Sequence, residues 1–255
     1  IWSKSFMIYW NGCSFVRGME LENRPDDSFA HKVSAKFNQE YTDNSKVGGS
    51  NDRIWRTTLD DCLREKPDLA IIVWSNMNRW EFLDDMRAWR SAVWVRFLFD
   101  KISLAISEKS ETHFHPRMKL KQWEAIQGHS TQTRNMRYNL IYSLHYMLST
   151  KYFLESQKIP YIFYLMSEGQ LAPSMKTLDE NRWEGANNLW QVPHMKRSDY
   201  ERELPFILDE SFYTMCKKAE VPFGPKDHPL EEGHDLMANR IIKDIYDKEL
   251  DKIFS

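Results

Sequence analysis

The sequence has 255 residues and a formal net charge of −2, with 35 lysine and arginine residues against 37 aspartate and glutamate residues. This balance argues against a general nucleic-acid binder, because phosphate backbones attract surfaces rich in positive charge. Only three cysteines occur, Cys13, Cys62 and Cys216, and no stretch approaches the roughly 20 apolar residues of a membrane span. We therefore expect no disulfide framework, no membrane partner and a reducing compartment such as the cytoplasm.

Apolar runs and amphipathic stretches alternate over the first part of the chain. Phe29, Val33 and Phe37 recur at the spacing of a one-faced helix, after a cap at Ser28. The continuous apolar run over 69–74 is typical of a strand buried on both faces. In chain order the predicted elements are a strand over 5–10, a helix over 29–37, a strand over 40–44, a helix over 54–63 and a strand over 69–74.

The pattern changes between about 80 and 130, and we interpret this region as a largely helical insertion. Trp89, Val93 and Phe97 predict a long helix there. His113 and His115 could ligate a metal ion, but no carboxylate or cysteine pattern supports them, so a solvated loop is favoured. The remaining predicted elements are a helix over 135–157, a strand over 161–166, a loop over 175–198 and helices over 208–220 and 231–250. Such alternation predicts one α/β domain over 1–255 with a parallel sheet.

Polar residues occur beside these elements at four places. Gly12-Cys13-Ser14, Gly48-Gly49-Ser50-Asn51 and Ser75-Asn76 each follow a predicted strand, and Asp227-His228-Pro229 precedes the last helix. Parallel strands open their carboxyl ends at one edge of the sheet, so the first three loops could converge. A serine with a histidine as base suits acyl transfer. N–H groups beside glycine and an amide side chain suit the oxyanion.

The ordered set resembles the SGNH, or GDSL-type, hydrolase superfamily, named for serine, glycine, asparagine and histidine in four blocks. The resemblance implies Ser14 as the nucleophile, Gly49 as the second-block glycine with Gly48 as an alternative register, Asn76 in the third block and His228 as the base. It also implies a three-layer α/β/α fold of the flavodoxin-like type. The oxyanion hole would consist of the N–H groups of Ser14 and Gly49 and the amide of Asn76.

The sequence departs from the superfamily pattern at three places. The third block, usually Gly-x-Asn-Asp, reads Trp74-Ser75-Asn76-Met77. Cys13 stands where an aspartate usually precedes the serine, and it could itself be the nucleophile. Pro225 stands three residues before His228, where the superfamily has its acid. Asp227 is the candidate replacement, and it can reach the ring of His228 only if the loop over 224–229 bends sharply. The residues therefore predict either a Ser-His dyad or a triad of altered geometry.

A narrower likeness comes from two further segments. Gly-Gly-Ser-Asn-Asp-Arg-Ile over 48–54 and Arg-Trp-Glu-Phe over 79–82 look like segments of uncharacterised SGNH-like proteins of large tailed phages. This likeness would place the protein in a host cytoplasm or in a virion.

The resemblance implies a serine esterase or acylhydrolase that needs no cofactor and no metal. Its substrate would be a small-molecule or carbohydrate ester, with an O-acetylated carbohydrate as one candidate, and the oligomeric state is left open. Two alternatives belong to other classes of protein. One is a non-catalytic SGNH-like structural or binding protein, such as a virion component, which the missing acid at Pro225 favours. The other is a nucleotide-handling protein that uses Gly48-Gly49-Ser50 at a helix start as an anion site.

Overall fold

The computed structural model describes residues 6–77, 79–83, 89–93, 136–168, 175, 178 and 195–254. Six strands occur in the described residues. They are β1 (Met7–Asn11), β2 (Glu40–Asp43), β3 (Leu69–Trp74), β4 (Arg79–Leu83), β5 (Trp89–Val93) and β6 (Tyr161–Leu165). The strands β2, β1, β3 and β6 form a parallel sheet in that order, and β4 pairs with β5 in an antiparallel ladder.

The described helices lie between the strands of the parallel sheet and after its last strand. They are α1 (Phe29–Lys36), α2 (Asn51–Arg64), α3 (Met136–Ser156), α4 (Arg197–Glu203), α5 (Phe212–Lys218) and α6 (Glu231–Asp247), with 3-10 turns at Pro205–Leu208 and Leu250–Phe254. Ser28 caps α1 because its side chain accepts the His31 N–H at 3.2 Å. Ser211 caps α5 in the same way through the Thr214 N–H at 3.3 Å.

Side chains of the central strands alternate between two cores, one on each face of the sheet. The period of two along a strand sends neighbouring residues to opposite faces, and both faces of β3 are fully buried. The core beside α1, α5 and α6 contains Ile8, Trp10, Leu69, Ile71 and Val73. The core beside α2 and α3 contains Tyr9, Ala70, Ile72 and Trp74. Helices on both faces of a parallel sheet make a three-layer α/β/α fold, as predicted.

The register of the sheet brings the ends of its strands to one edge. Asn11 of β1 lies opposite Ile72 of β3, so the loops that follow these two strands open side by side. This edge carries the residues that the sequence analysis selected.

The predicted elements agree with the structure in the sheet and in most helices, and they disagree in the region over 80–130. A helix containing Trp89 and Val93 was predicted, but these residues form β5. The described parts of the predicted helical insertion are therefore strands. His113 and His115 lie outside the described residues.

Candidate active site

Ser14 lies in the tight turn that follows β1. Gly12 makes the turn possible, because a Cβ at that position would lie 2.5 Å from Val16 Cγ2 and 2.9 Å from the carbonyl oxygen of Val73. The chain then folds back, and the Met19 N–H donates to the carbonyl oxygen of Ser14 at 3.0 Å. Ser14 is buried, with 3% of its surface exposed. The short Gly-Cys-Ser segment therefore holds the hydroxyl at the edge of the sheet.

His228 lies in the loop between α5 and α6. Backbone hydrogen bonds close this loop: the Gly224 N–H donates to the carbonyl oxygen of His228 at 2.8 Å, and the Leu230 N–H donates to that of Pro222 at 3.0 Å. The Nε2 atom of His228 lies 2.8 Å from Ser14 Oγ, which is a hydrogen-bond distance. The structure thus brings together the two residues that the sequence analysis selected as nucleophile and base.

The other ring nitrogen faces a carboxylate that the sequence analysis did not identify. Glu20 Oε2 lies 2.9 Å from His228 Nδ1. The same carboxylate accepts the Lys226 N–H at 2.9 Å and the His228 N–H at 3.3 Å. The side chains are largely buried, with 15% of His228 and 11% of Glu20 exposed. Ser14, His228 and Glu20 therefore form a continuous chain of hydrogen bonds.

The charge of Glu20 is set by two opposing effects. Burial raises the pKa of its carboxyl group, but hydrogen bonds from the Lys226 N–H and from the ring and N–H of His228 outweigh burial. The net effect lowers the pKa of Glu20 below its ordinary value, so the carboxylate is ionised at neutral pH.

The backbone around Glu20 is unusual. Glu20 has a φ of 72°, in the left-handed region that few residues other than glycine adopt, and Gly18 before it has a φ of 65°. Gly224 lies against the carboxyl group, because a Cβ there would come within 2.7 Å of Glu20 Cδ. Two loops distant in sequence are thus shaped around this one carboxylate.

The structure does not bring Asp227 to the His228 ring, and the expectation that it does so is wrong. Asp227 Oδ2 accepts the Tyr213 hydroxyl at 2.7 Å, and Oδ1 accepts the Lys217 ammonium at 2.9 Å. The loop does bend at Asp227, whose φ is 62°. The bend turns the carboxylate towards α5, and Glu20 occupies the place beside Nδ1 instead.

The second-block glycines lie in a turn beside the Ser14 loop. Gly48 has a φ of 73°, and the Gly49 N–H donates to the carbonyl oxygen of Lys46 at 2.8 Å. A Cβ on Gly49 would lie 2.9 Å from the carbonyl oxygen of Gly12, so the two loops pack backbone to backbone. The Gly49 N–H is engaged within its own turn, which weighs against the predicted role of Gly49 as an oxyanion donor.

Asn76 follows β3 at the same edge of the sheet. Its loop is anchored on both sides: the Ser75 N–H donates to Asn51 Oδ1 at 2.8 Å, and the Arg79 N–H donates to the carbonyl oxygen of Asn76 at 3.2 Å. Asn76 is partly exposed, whereas Ser75 and Asn51 are buried. The pairing of β1 with β3 puts the loop that carries Asn76 next to the loop that carries Ser14, and the role of Asn76 stays a prediction.

Cys13 packs in the core and not beside His228. It is fully buried, and its Sγ lies 3.1 Å from Met166 Sδ in the core beside α1, α5 and α6. Of the two neighbouring residues, Ser14 therefore contacts His228 and Cys13 packs in the core.

No group of three or more histidine, cysteine, aspartate or glutamate side chains in the described part of the chain could hold a metal ion. Among the described helices, none has the length and apolar character needed to cross a bilayer.

Solved structures with similar folds include esterases and a lipolytic protein, all of low sequence identity to this chain. A psychrotrophic esterase, EstA, from Pseudoalteromonas sp. has a TM-score of 0.50 at 8% identity, covering 96% of this chain and 98% of its own. The acetyl xylan esterase Est2A from the rumen bacterium Butyrivibrio proteoclasticus has a TM-score of 0.50 at 13% identity, covering 98% of this chain and 66% of its own. A member of the lipolytic G-D-S-L family from Veillonella parvula has a TM-score of 0.47 at 12% identity, covering 94% of this chain and 97% of its own. No curated protein sequence is significantly similar to the chain.

The parallel sheet, its two helical layers and the likeness to these esterases define an α/β protein with the SGNH-hydrolase fold. The chain belongs to a family of unknown function, DUF6071, whose model matches residues 18–252. The matched range includes Glu20 and His228 and begins after Ser14.

Proposed function

We propose that this protein is a serine ester hydrolase in which Ser14 is the nucleophile and His228 is the general base. The observation that carries the proposal is the 2.8 Å separation between Ser14 Oγ and His228 Nε2 at the carboxyl edge of the parallel sheet. A serine hydroxyl is a weak nucleophile until a base within hydrogen-bond reach takes its proton. This pair meets that geometric requirement without any movement of the chain.

The proposed reaction has two stages. Ser14 Oγ attacks the ester carbonyl carbon while its proton moves to His228 Nε2. The resulting tetrahedral intermediate then expels the alcohol, and the leaving oxygen takes the proton from Nε2. Water then loses a proton to Nε2 and attacks the acyl group on Ser14. The second intermediate releases the acid, and the proton on Nε2 returns to Ser14 Oγ.

The oxyanion of each intermediate requires fixed hydrogen-bond donors. We assign the backbone N–H of Ser14 and the side-chain amide of Asn76 to this role, because both follow adjacent strands at the same edge. Gly49 is not included, since its N–H donates to the carbonyl oxygen of Lys46 at 2.8 Å. Gly49 instead allows the close contact with the Ser14 loop.

The substrate class that we propose is an O-acetylated carbohydrate. The support comes from the Butyrivibrio protein of similar fold, which is named an acetyl xylan esterase. A small acyl group such as acetyl also fits a nucleophile that is only 3% exposed.

A fluorophosphonate probe with mass mapping tests the proposal directly. We expect the wild-type protein to be labelled on Ser14 and to hydrolyse short-chain aryl acetates. Ser14→Ala should lose both properties, because it removes the hydroxyl that lies 2.8 Å from His228 Nε2. Cys13→Ala is the matched control, since it changes the adjacent side chain, and it should keep most of the labelling and hydrolysis.

Two results would contradict the proposal. One is labelling or hydrolysis that persists in Ser14→Ala. The other is a wild-type protein that neither reacts with the probe nor hydrolyses any ester tried, which would favour a non-catalytic protein with this fold.

A further inference from the structure

We propose that Glu20 is the positioning residue that orients His228, in place of the acid that the superfamily carries three residues before the histidine. The inference rests on the proposed function, because it assigns a role at the same site. Pro225 stands at the usual position of the acid. The carboxylate comes instead from the loop that carries Ser14.

The contacts of Glu20 fix the ring of His228 in one orientation. A carboxylate 2.9 Å from Nδ1 accepts a hydrogen bond, so the neutral ring carries its proton on Nδ1. Nε2 is then an acceptor, and it is the atom that lies 2.8 Å from Ser14 Oγ. When Nε2 takes the proton of Ser14, Nδ1 keeps its own proton, and the ionised Glu20 stabilises the imidazolium.

The carboxylate is itself held in place. Lys226 and His228 donate their N–H groups to it at 2.9 Å and 3.3 Å, so the His228 loop binds Glu20 through its backbone as well as through the ring. Rotation of the Glu20 side chain would break all of these contacts together. The ring and the carboxylate therefore have a single mutual arrangement.

Two backbone features support a dedicated site for this carboxylate. Glu20 has a φ of 72°, in the left-handed region that most residues other than glycine avoid. Gly224 leaves the space that the carboxyl group fills, since a Cβ there would lie 2.7 Å from Glu20 Cδ. These features occur in separate loops and are explained by the same contact.

The discriminating experiment compares three conservative variants that each replace one carboxylate by an amide. Glu20→Gln should lower kcat for an aryl acetate about 10³- to 10⁴-fold with little change in KM, because an amide can favour the wrong tautomer of the ring. Asp227→Asn tests the acid adjacent to His228 and should keep most of the activity, since Asp227 contacts Tyr213 and Lys217. Glu22→Gln is the matched control in the Ser14 loop. Glu22 is exposed, so the Glu22→Gln variant should have the kcat of the wild type.

A readout other than activity separates orientation from folding. The ¹⁵N chemical shifts of the His228 ring report which nitrogen carries the proton. We expect the Nδ1-protonated tautomer in the wild type and in Glu22→Gln, and a mixture or the other tautomer in Glu20→Gln. Glu20→Asp keeps the charge on a shorter side chain, and it should recover part of the lost activity.

The outcomes distinguish this inference from the proposed function. An active wild type with an equally active Glu20→Gln and an unchanged tautomer would overturn the role of Glu20 and leave the hydrolase proposal intact. A large loss in Asp227→Asn with none in Glu20→Gln would return the role to Asp227. A wild type without esterase activity would end the proposed function, while the tautomer measurement would still show whether Glu20 orients the ring.

Discussion

Asn76 is the residue through which the oxyanion assignment can be tested most directly. Its side-chain amide can donate to an oxyanion, and its main chain is fixed by the Arg79 N–H at 3.2 Å and by its neighbour Ser75. Such a donor acts mainly in the transition state because negative charge develops on the oxygen there, and a fixed main chain reduces the reorganisation that this requires.

We predict that Asn76→Ala lowers kcat by about 10²- to 10³-fold, the usual effect of deleting one oxyanion donor. KM should change little, because the ground-state carbonyl carries less charge than the intermediate. Steady-state kinetics on an aryl acetate measures both parameters. Asn23→Ala, an exposed asparagine in the loop before α1, is the control and should behave as the wild type. A kcat for Asn76→Ala within a few-fold of the wild type would remove Asn76 from the oxyanion hole.

The residues of the site differ in how far the sequence could predict them. Ser14 follows an apolar run and His228 precedes the last predicted helix, each in a short motif, so the resemblance to the superfamily could select both residues. Glu20 lies 208 residues from His228 in the chain, and no spacing connects the two. Its left-handed backbone is also invisible in the sequence, since glutamate does not favour that conformation. The one signal present was an acidic residue in the Ser14 loop together with Pro225 at the usual position of the acid.

At the scale of elements, Asn51 connects three parts of the fold. It is the first residue of α2, and its Oδ1 accepts the Ser75 N–H of the loop after β3 at 2.8 Å. Its Nδ2 donates to Ser143 Oγ of α3 at 3.1 Å. Asn51 is 1% exposed, so these hydrogen bonds are made away from water. The loop that carries Asn76 is therefore tied to two helices by a single side chain.

We predict that Asn51→Ala lowers the free energy of unfolding by about 1–3 kcal/mol, because the buried N–H of Ser75 loses its acceptor. We also expect a lower kcat, since the Asn76 loop loses its tie to α2. Urea unfolding and steady-state kinetics measure the two effects. The exposed Asn23→Ala again serves as the control and should change stability by less than about 0.5 kcal/mol. A fully stable and fully active Asn51→Ala protein would show that the loop is held by other contacts.

The type of an element was predictable where its apolar pattern matches one kind of element over its whole length. The apolar run of β3 has no polar interruption, and its predicted bounds match Leu69–Trp74. The stretch around β5 does not determine its element type, because a spacing of four residues fits one face of a helix and one face of a strand equally well. Trp89 and Val93 have this spacing. The antiparallel pairing with β4 decides the outcome, and that contact is not encoded in the local period.

For the molecule as a whole, His234 links the last helix to the first. Its Nδ1 accepts the Phe29 N–H of α1 at 3.1 Å, and its ring stacks on Phe29 with centroids 5.3 Å apart. His234 is 1% exposed. Burial lowers the pKa of His234 to about 3, with the ammonium of Lys32 adding to the effect and the carboxylate of Asp235 opposing it.

This depressed pKa makes stability depend on pH in a defined window. Below its ordinary pKa of about 6.5 the histidine of the unfolded chain binds a proton, whereas the folded protein keeps His234 neutral down to about pH 3. The unfolded state therefore binds more protons between these values, and the free energy of unfolding falls as the pH falls through this window. The contribution is fully present above pH 6.5 and is lost towards pH 3.

We predict that the free energy of unfolding of the wild type falls by about 2 kcal/mol more between pH 7 and pH 5 than that of His234→Asn. The asparagine variant keeps an acceptor for the Phe29 N–H through Oδ1 but has no titrating ring. It should be less stable than the wild type at pH 7, because it lacks the stacked ring, and should show a smaller loss on acidification. Urea unfolding of both proteins at several pH values gives the difference directly.

The difference between the two proteins isolates His234 from the other seven of the 8 histidines, because the contributions of those histidines are common to both proteins. The carboxylate of Glu20, whose pKa is lowered, loses its contribution only at more acidic pH and so stays outside the comparison. Parallel pH profiles for the two proteins would mean that His234 binds its proton at the same pH in the folded and unfolded states, and its Nδ1 would then cease to accept the Phe29 N–H on acidification.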